Sequence, residues 1–392
     1  MNKLVTVLGT ISEEVFLRDY WQKKPLLIKN AIPGFTSPIN PEELAGLACE
    51  EGIESRIVIE NDVKAPWSVY HGPFSESYFE QLPATHWTLL VQECQRYIPE
   101  LAQLMECFNF IPRWRIDDIM VSYAPDQGSV GPHLDQYDVF LLQGLGTRRW
   151  QIDYQPYDPR NLIADIDLQI MQKFHPDEQW VLHPGDMLYL PPGLAHYGVA
   201  LEDCMTLSIG FRAPSYADML ASYLDDKIES FHHQDPEPRY SDPDLILQTH
   251  CGEIHPMALA KVHQILTQAV DNTAHIHRWF GRYSTRNNLT DDADIELAQI
   301  SNEQFLAKFI EQGRVYRSDN SRFAFIRRPG KGCYLYVDGK EYEIDEKHCA
   351  AVIQLCDHRE ILYTSLQSYL DNPEVTNLFV TLYNANQLQF ED

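Results

Sequence analysis

Two segments that lie far apart in the chain carry side chains that together could bind a metal ion. The first, GPHLDQYDVF, contains His133 and Asp135, and the second, PPGLAH, ends at His196. If the first segment is extended, alternate residues point to the same face, so the imidazole and the carboxylate converge. Two histidines and one carboxylate leave three coordination positions open, as in the facial triad of non-haem Fe(II) oxygenases. The sequence therefore predicts an Fe(II) site here rather than a chance set of polar residues.

An arginine that follows the first segment could bind the cosubstrate of such an iron site. The dicarboxylate 2-oxoglutarate chelates iron through its keto acid, which leaves one coordination position for dioxygen. Its far carboxylate needs a buried cation, preferably one that forms two hydrogen bonds with it. GTRRW supplies Arg148 and Arg149 on a predicted strand, where Arg148 shares its face with Trp150 and Ile152. We therefore predict that Arg148 points inward and that the Ser122 hydroxyl binds the same carboxylate. The alternative is that both arginines lie on the surface.

Neighbouring positions could hold a cationic substrate. Asp118, Met120 and Ser122 share one face of a predicted strand at 116–123, and Tyr137 continues the alternation of the metal-binding segment. A carboxylate and an aromatic face suit a guanidinium, through charge-assisted hydrogen bonds and cation–π stacking. These positions predict a substrate site near the metal. The alternative is that Tyr137 belongs to the core and Asp118 to a turn.

Residues 1–214 must supply the elements that position these side chains. Short β-type runs alternate with Gly, Pro and Asp turn signals, which is typical of an antiparallel sandwich or jelly roll. Helices are predicted near 11–21, 41–49 and 98–107. The predicted strands lie at 55–60, 87–92, 115–124, 148–153, 187–190 and 206–212.

The pattern changes to helical spacing after Pro214. In residues 215–231, apolar side chains recur at helical intervals, and further helical segments are predicted over about 256–283. A few short helices bury little area alone, so the region 215–286 is predicted to pack against a second copy of the chain. We expect a homodimer.

The linker NNLTDDAD at 287–294 opens a third region, 287–392, with predicted helices and hairpins in a winged-helix-like order. Helices are predicted at 302–312, 347–355, 361–370 and 373–384. Many winged-helix modules bind DNA, but residues 286–392 hold 11 Lys and Arg against 18 Asp and Glu, a net charge of −7. The charge favours a protein-contact or structural role over nucleic-acid binding.

The composition of the whole chain excludes several classes of protein. The 392 residues carry a net charge of −26, which opposes binding to nucleic acid or anionic lipid and favours basic protein partners. No apolar run approaches the length needed to span a bilayer, and no signal peptide is predicted. The eight scattered cysteines are typical of reduced, buried thiols in the cytoplasm. We expect a cytoplasmic α+β protein.

Several motifs resemble those of the JmjC-type ribosomal oxygenases of bacteria, and among them the ribosomal-protein arginine hydroxylases. The order of a catalytic domain, a helical region and a winged-helix-like region is also similar. The motifs are FLRDYWQKKPLLIKNA, WRIDDIMVSYA, HLDQYDVF, RRW, PGDMLYLPPGLAH and SIGFRAPS.

The resemblance implies a double-stranded β-helix of the cupin type, with Fe(II), 2-oxoglutarate and dioxygen, and a dimer formed by the helical region. By motif, His133, Asp135 and His196 become the iron ligands and Arg148 the 2-oxoglutarate partner. The positions expected to hold the substrate are Asp118, Met120, Tyr137 and Ser208. The implied substrate is an arginine side chain, oxidised at C3, in a basic large-subunit ribosomal protein.

Two other functions remain open at this point. A related hydroxylase could act on a histidine or asparagine side chain, or on a methylated lysine, in which case a neutral pocket would replace the acidic one. A cupin-type regulator without enzymatic activity would need a basic stripe in the C-terminal region to contact DNA.

Overall fold

The computed structural model describes residues 7–61, 66–156, 158–164, 168–287 and 299–391. The chain divides into two compact units, Met1–Ala213 and Pro214–Asp392, and each is described here by itself. Both units combine helices with antiparallel sheets. No helix in the described ranges is long and apolar enough to cross a membrane.

The first unit contains a large and a small antiparallel sheet. The large sheet has the strand order β1-β9-β6-β11-β5-β4-β2-β3, and the small sheet has the order β10-β7-β8. The strands are β1 Leu26–Ile28, β2 Ser55–Glu60, β3 Trp67–His71, β4 Trp87–Val91, β5 Ile116–Ala124, β6 Val139–Leu145, β7 Arg148–Asp153, β8 Glu178–Leu182, β9 Met187–Leu190, β10 Ala195–Ala200 and β11 Cys204–Phe211. The helices are α1 Glu13–Asp19, α2 Pro41–Leu47, α3 Glu76–Phe79 and α4 Pro99–Met105.

The two faces of the large sheet bury different sets of side chains. On the outer face, Phe16 of α1 is fully buried and packs on Phe140 and Tyr189 in the main core. On the inner face, Leu141 packs against Trp150 of the small sheet. The inner faces of both sheets therefore enclose a separate interior, as in a jelly roll. The predicted functional residues lie around this interior.

The second unit combines helices with two three-stranded sheets, β16-β12-β17 and β13-β14-β15, around its own apolar core. Its helices are α5 Tyr216–His232, α6 Pro256–Val270, α7 Thr273–Thr285, α8 Asn302–Gln312, α9 Cys349–Asp357, α10 Tyr363–Leu370 and α11 Pro373–Asn384. Its strands are β12 Arg314–Arg317, β13 Phe323–Arg328, β14 Gly332–Val337, β15 Lys340–Ile344, β16 Glu360–Leu362 and β17 Leu388–Gln389.

Several predicted elements differ from the structure. The segment around His133 and Asp135 is not a regular strand, because His133 forms an isolated bridge and a bend follows at Gln136 and Tyr137. The helical segments predicted over 256–283 are confirmed as two helices, which are separated at Asp271 and Asn272. Apart from Asn287, the predicted linker 287–294 lies outside the described residues.

Candidate active site

His133, Asp135 and His196 form a cluster in which one possible ligand atom from each residue lies within 4.8 Å of the others. Nε2 of His196 is 3.7 Å from one carboxylate oxygen of Asp135, and Nε2 of His133 is 4.0 Å from the other. The two rings are inclined at 59° to each other, with centroids 4.3 Å apart. Two imidazole nitrogens and one carboxylate thus point toward a common centre.

Main-chain hydrogen bonds hold the two histidines in the tautomer that a metal requires. Nδ1 of His133 donates to the carbonyl of Gly131, and Nδ1 of His196 donates to that of Leu194, each at 2.9 Å. Because a carbonyl only accepts, the proton must lie on Nδ1, which leaves the Nε2 lone pair free for a metal. Burial lowers the pKa of His196, and this also favours its neutral form.

The segment between His133 and strand β6 is anchored at both ends, although it is not itself a strand. The main chains of His133 and His196 exchange two hydrogen bonds, of 3.0 and 2.8 Å. At the other end, the fully buried carboxylate of Asp138 accepts hydrogen bonds from the Tyr189 hydroxyl at 2.6 Å and from the Gln22 amide at 2.9 Å. Asp135 lies between these two anchors, so its position is set by both.

Arg148 is a buried cation beside this cluster. Only 3% of its surface is exposed, and its Nε has no hydrogen-bond partner among the described residues. Its other nitrogens contact the Thr206 hydroxyl at 3.5 Å and the Gly198 carbonyl at 3.2 Å, so neither partner is anionic. Burial lowers the pKa of this guanidinium. A buried cation without an anionic partner is costly, so the site fits a carboxylate ligand.

A polar row crosses the large sheet in front of Arg148. Strand register places Ser122 opposite Thr206, and Thr206 opposite Gln143. The Thr206 hydroxyl donates to the Gln143 side chain at 3.3 Å, and the Ser122 hydroxyl donates to the Thr206 carbonyl at 3.4 Å. Ser122 therefore lies on the same polar row that Arg148 contacts. Thr206 and Gln143 were not predicted, although the polar positions in TLSIGFR alternate along β11.

The predicted substrate residues also lie on the inner side, in different surroundings. Asp118 accepts a hydrogen bond from the main-chain N–H of Glu93 at 3.2 Å, and it faces Gly210, where any side chain would approach it to 3.1 Å. Ser208 is buried opposite Met120. Met120 packs with the apolar cluster around Val58, at a wall of the interior.

Tyr137 lies between the metal cluster and Asp118. Burial of its hydroxyl, together with the negative charges of Asp135 and Asp118, raises the pKa of Tyr137. Even so, 42% of the residue is exposed, so part of its ring faces solvent. Tyr137 therefore is not a core residue, and the metal cluster, Tyr137 and Asp118 form a continuous surface.

Comparisons with known proteins agree with this architecture. The family profile described as a JmjC domain matches residues 103–219, and that of a ROXA-like winged helix matches residues 266–389. The chain is 34% identical to the ribosomal protein uL16 3-hydroxylase of Escherichia coli K12 over 97% of its length and 98% of that protein.

Solved structures of a ribosomal oxygenase from Escherichia coli, YcfD, match nearly the whole chain. One has a TM-score of 0.87 at 32% identity and covers 98% of this chain and 99% of that one. Another, in complex with cobalt and 2-oxoglutarate, has a TM-score of 0.84 at 31% identity with the same coverage. The fold is a JmjC cupin jelly roll followed by a winged helix, and the protein is an oxygenase. The chain belongs to the ribosomal oxygenase family, whose JmjC domain uses Fe(II), 2-oxoglutarate and dioxygen.

Proposed function

We propose that this enzyme hydroxylates an arginine side chain of ribosomal protein uL16 at C3. The observation that carries the proposal is the buried Arg148 beside the His133–Asp135–His196 cluster, which together supply a carboxylate site and a metal site. The uL16 3-hydroxylase activity of the Escherichia coli relative supports the choice of substrate. The acidic chain, with a net charge of −26, suits a basic ribosomal protein.

The side chains of this chain have separate tasks in the proposed reaction. His133, Asp135 and His196 would hold Fe(II), and the chemistry supplied there would place one oxygen atom of dioxygen in a C–H bond and the other in succinate, as 2-oxoglutarate loses carbon dioxide. Arg148 binds the far carboxylate of 2-oxoglutarate, assisted by the Ser122 and Thr206 row. The interior between the two sheets excludes bulk water from the oxidised carbon.

Asp118 and Tyr137 select arginine in this proposal. Tyr137 lies within electrostatic reach of both Asp135 and Asp118, and the Asp118 carboxylate can form a charge-assisted hydrogen bond with a guanidinium while the Tyr137 ring stacks on it. Fixing the guanidinium at two points places one carbon of the substrate near the iron. Ser208 and Met120 border the same space. This acidic pocket favours arginine over the histidine, asparagine or methylated-lysine alternatives.

The organisation of the chain is also part of the proposal. We assign residues 1–214 to catalysis, 215–286 to homodimer formation and 287–392 to the winged-helix-like domain, in a protein that acts in the cytoplasm on ribosomal protein. Apolar side chains exposed on α5 and α6 support dimerisation: Leu220 is 54% exposed, Leu259 57% and Leu266 61%. The negative charge of residues 286–392 supports protein contact over DNA contact.

Mass spectrometry of the products tests the proposed function. The protein, with Fe(II) and 2-oxoglutarate, is incubated with recombinant uL16, and the modified residue and carbon are identified by fragmentation. We expect an oxygen atom added at C3 of one arginine, coupled to succinate formation, and no product from Asp135→Ala. Modification of histidine or asparagine instead would contradict the substrate assignment while leaving the oxygenase assignment intact.

A further inference from the structure

Arg56 lies on the inner face of the large sheet, among the residues that surround the active site. In the strand register, Arg56 of β2 is opposite Leu90 of β4, and Leu90 is opposite Ser122 of β5. Directly opposed residues in antiparallel strands share a face, so Arg56 continues the row of Ser122 and Thr206. It is two strands, about 10 Å, from Ser122.

The neighbours of Arg56 on β2 confirm its direction. Ile57 is fully buried in the outer core, whereas Val58 packs on the inner side against Leu90 and Met120. Because side chains alternate along a strand, Arg56 points to the side of Val58. Val58 and Leu90 beside it offer its guanidinium no hydrogen-bond acceptor, and His71 lies opposite it on β3.

Nε of Arg56 is covered and has no hydrogen-bond partner among the described residues. The side chain is partly exposed and thus accessible from the substrate side.

We propose that Arg56 is a substrate-positioning residue, whose guanidinium donates hydrogen bonds to a main-chain carbonyl of the substrate segment next to the target residue. The proposal rests on the proposed function and extends it from the target side chain to the peptide around it. The terminal nitrogens of Arg56 are not among the covered unpaired atoms, so they are the donors available to an incoming carbonyl, and a hydrogen bond from a charged donor is favourable. The target guanidinium cannot be the partner of Arg56 because the two charges are alike.

A carbonyl fits this position better than an acidic side chain of the substrate. Every residue of the substrate segment carries a carbonyl acceptor, whereas a carboxylate is present only where the segment has an acidic residue. The five donors of a guanidinium form a planar fork, so one arginine can hold a carbonyl while it stays in contact with the wall of the site. Arg56 would then set how deeply the target side chain enters the interior.

Steady-state kinetics of the full-length, Fe(II)-loaded enzyme test this proposal with uL16 peptides. Arg56→Ala is expected to raise the KM for the peptide about tenfold, the loss expected for a hydrogen bond with a charged donor. The KM for 2-oxoglutarate and the turnover of 2-oxoglutarate without peptide should stay unchanged. Arg56→Lys should recover part of the loss, and Arg56→Gln serves if the alanine variant fails to fold.

Arg149→Ala is the matched control. Arg149 also has a covered Nε without a partner, but it lies on the opposite face of β7 from Arg148. Its loss should leave the peptide KM unchanged. A similar KM increase in both variants would show a general structural effect and overturn the proposal, as would an unchanged peptide KM in Arg56→Ala.

A second peptide, with alanine at every position around the target, separates main-chain from side-chain recognition. Arg56→Ala should weaken the reaction with this peptide by the same factor as with the native peptide, because the carbonyls are retained. An effect on the native peptide alone would overturn the main-chain assignment. If the unmodified enzyme hydroxylates neither peptide, the proposed function fails, and that result is distinct from a failure of the Arg56 assignment.

Discussion

The guanidinium carbon of Arg148 lies 5.1 Å from the centre of the Trp150 ring, in a cation–π contact on the inner face of β7. The strand beside it provides the space for this contact, because Gly198 is paired with Trp150 across the two strands. A Cβ at Gly198 would lie 2.6 Å from the Trp150 ring and 2.9 Å from Nε of Arg148. The orientation of the predicted carboxylate-binding residue thus depends on a glycine two residues after His196.

Gly198→Ala should therefore impair 2-oxoglutarate binding. Its methyl group must displace the Trp150 ring or the Arg148 guanidinium, and overpacking of this kind typically costs about 1–3 kcal/mol. We expect the KM for 2-oxoglutarate to rise at least ~10-fold, measured by succinate formation. Gly46→Ala in α2, where a Cβ meets nothing within 4 Å, is the control and should leave this KM unchanged. An unaffected KM in Gly198→Ala would mean that 2-oxoglutarate binding does not depend on the space beside Gly198.

The two adjacent arginines of β7 should differ in their effect on the cosubstrate. Arg148 is buried and contacts Thr206, whereas Arg149 is only partly buried on the other face. Arg148→Ala removes a charge-assisted hydrogen bond of about 1.5–3 kcal/mol, so the KM for 2-oxoglutarate should rise roughly 10- to 150-fold. Arg149→Ala should change it little. The reverse order of effects would place the cosubstrate outside the interior between the two sheets.

Asp135 is the only anionic member of the metal cluster, and its replacement should remove the metal. Asp135→Ala should lower the Fe(II) content measured by elemental analysis and abolish hydroxylation, while the melting temperature of the metal-free protein stays close to that of the unmodified metal-free protein. The control is Asp117→Ala, at an exposed position near the start of β5, which should keep its metal. Coupled product formation by Asp135→Ala would contradict the assignment.

The sequence predicts six strands of the first unit close to their observed bounds, but it does not predict the inner faces of the most buried strands. Arg148 alternates with partly buried neighbours on β7, so its inward direction follows from a local pattern. Strand β9 is buried at every residue and β6 at all but its last, and their largely apolar sequences lack the alternation that would indicate their inner faces. In β11, by contrast, Thr206 and Ser208 alternate with apolar residues. The β6 strand was not predicted. The position of Arg56 also could not be predicted, because it depends on long-range register between β2, β4 and β5.

Charged residues on α5 should prevent the proposed homodimer. Leu220 and Leu224 are 54% and 37% exposed in the single chain, so glutamate at both positions costs little in the monomer but opposes an apolar interface. We expect Leu220→Glu/Leu224→Glu to sediment as a monomer. Leu17→Glu, at a leucine with the same 37% exposure in α1, should sediment like the unmodified protein. A monomeric unmodified protein at micromolar concentration would contradict the proposal.

Replacement of Tyr137 or Asp118 should weaken arginine hydroxylation without removing the metal. A desolvated cation–π contact contributes about 2 kcal/mol, so Tyr137→Ala should lower kcat/KM for an arginine peptide roughly 30-fold. Asp118→Ala should lower it at least as much, because the guanidinium loses its anionic partner. Neither change should alter the Fe(II) content or the KM for 2-oxoglutarate.

Peptides with lysine or histidine at the target position complete this test. Lysine should be a poor substrate because its ammonium group cannot form the forked pair that a guanidinium forms with a carboxylate. Histidine is too short to reach Asp118 and stack on Tyr137 together, so it should also react slowly. Mass spectrometry of the three peptides after equal incubation measures the preference. Equal hydroxylation of all three peptides, or a preference for histidine, would show that Asp118 and Tyr137 do not select arginine. The assignments of the metal and 2-oxoglutarate sites would still hold.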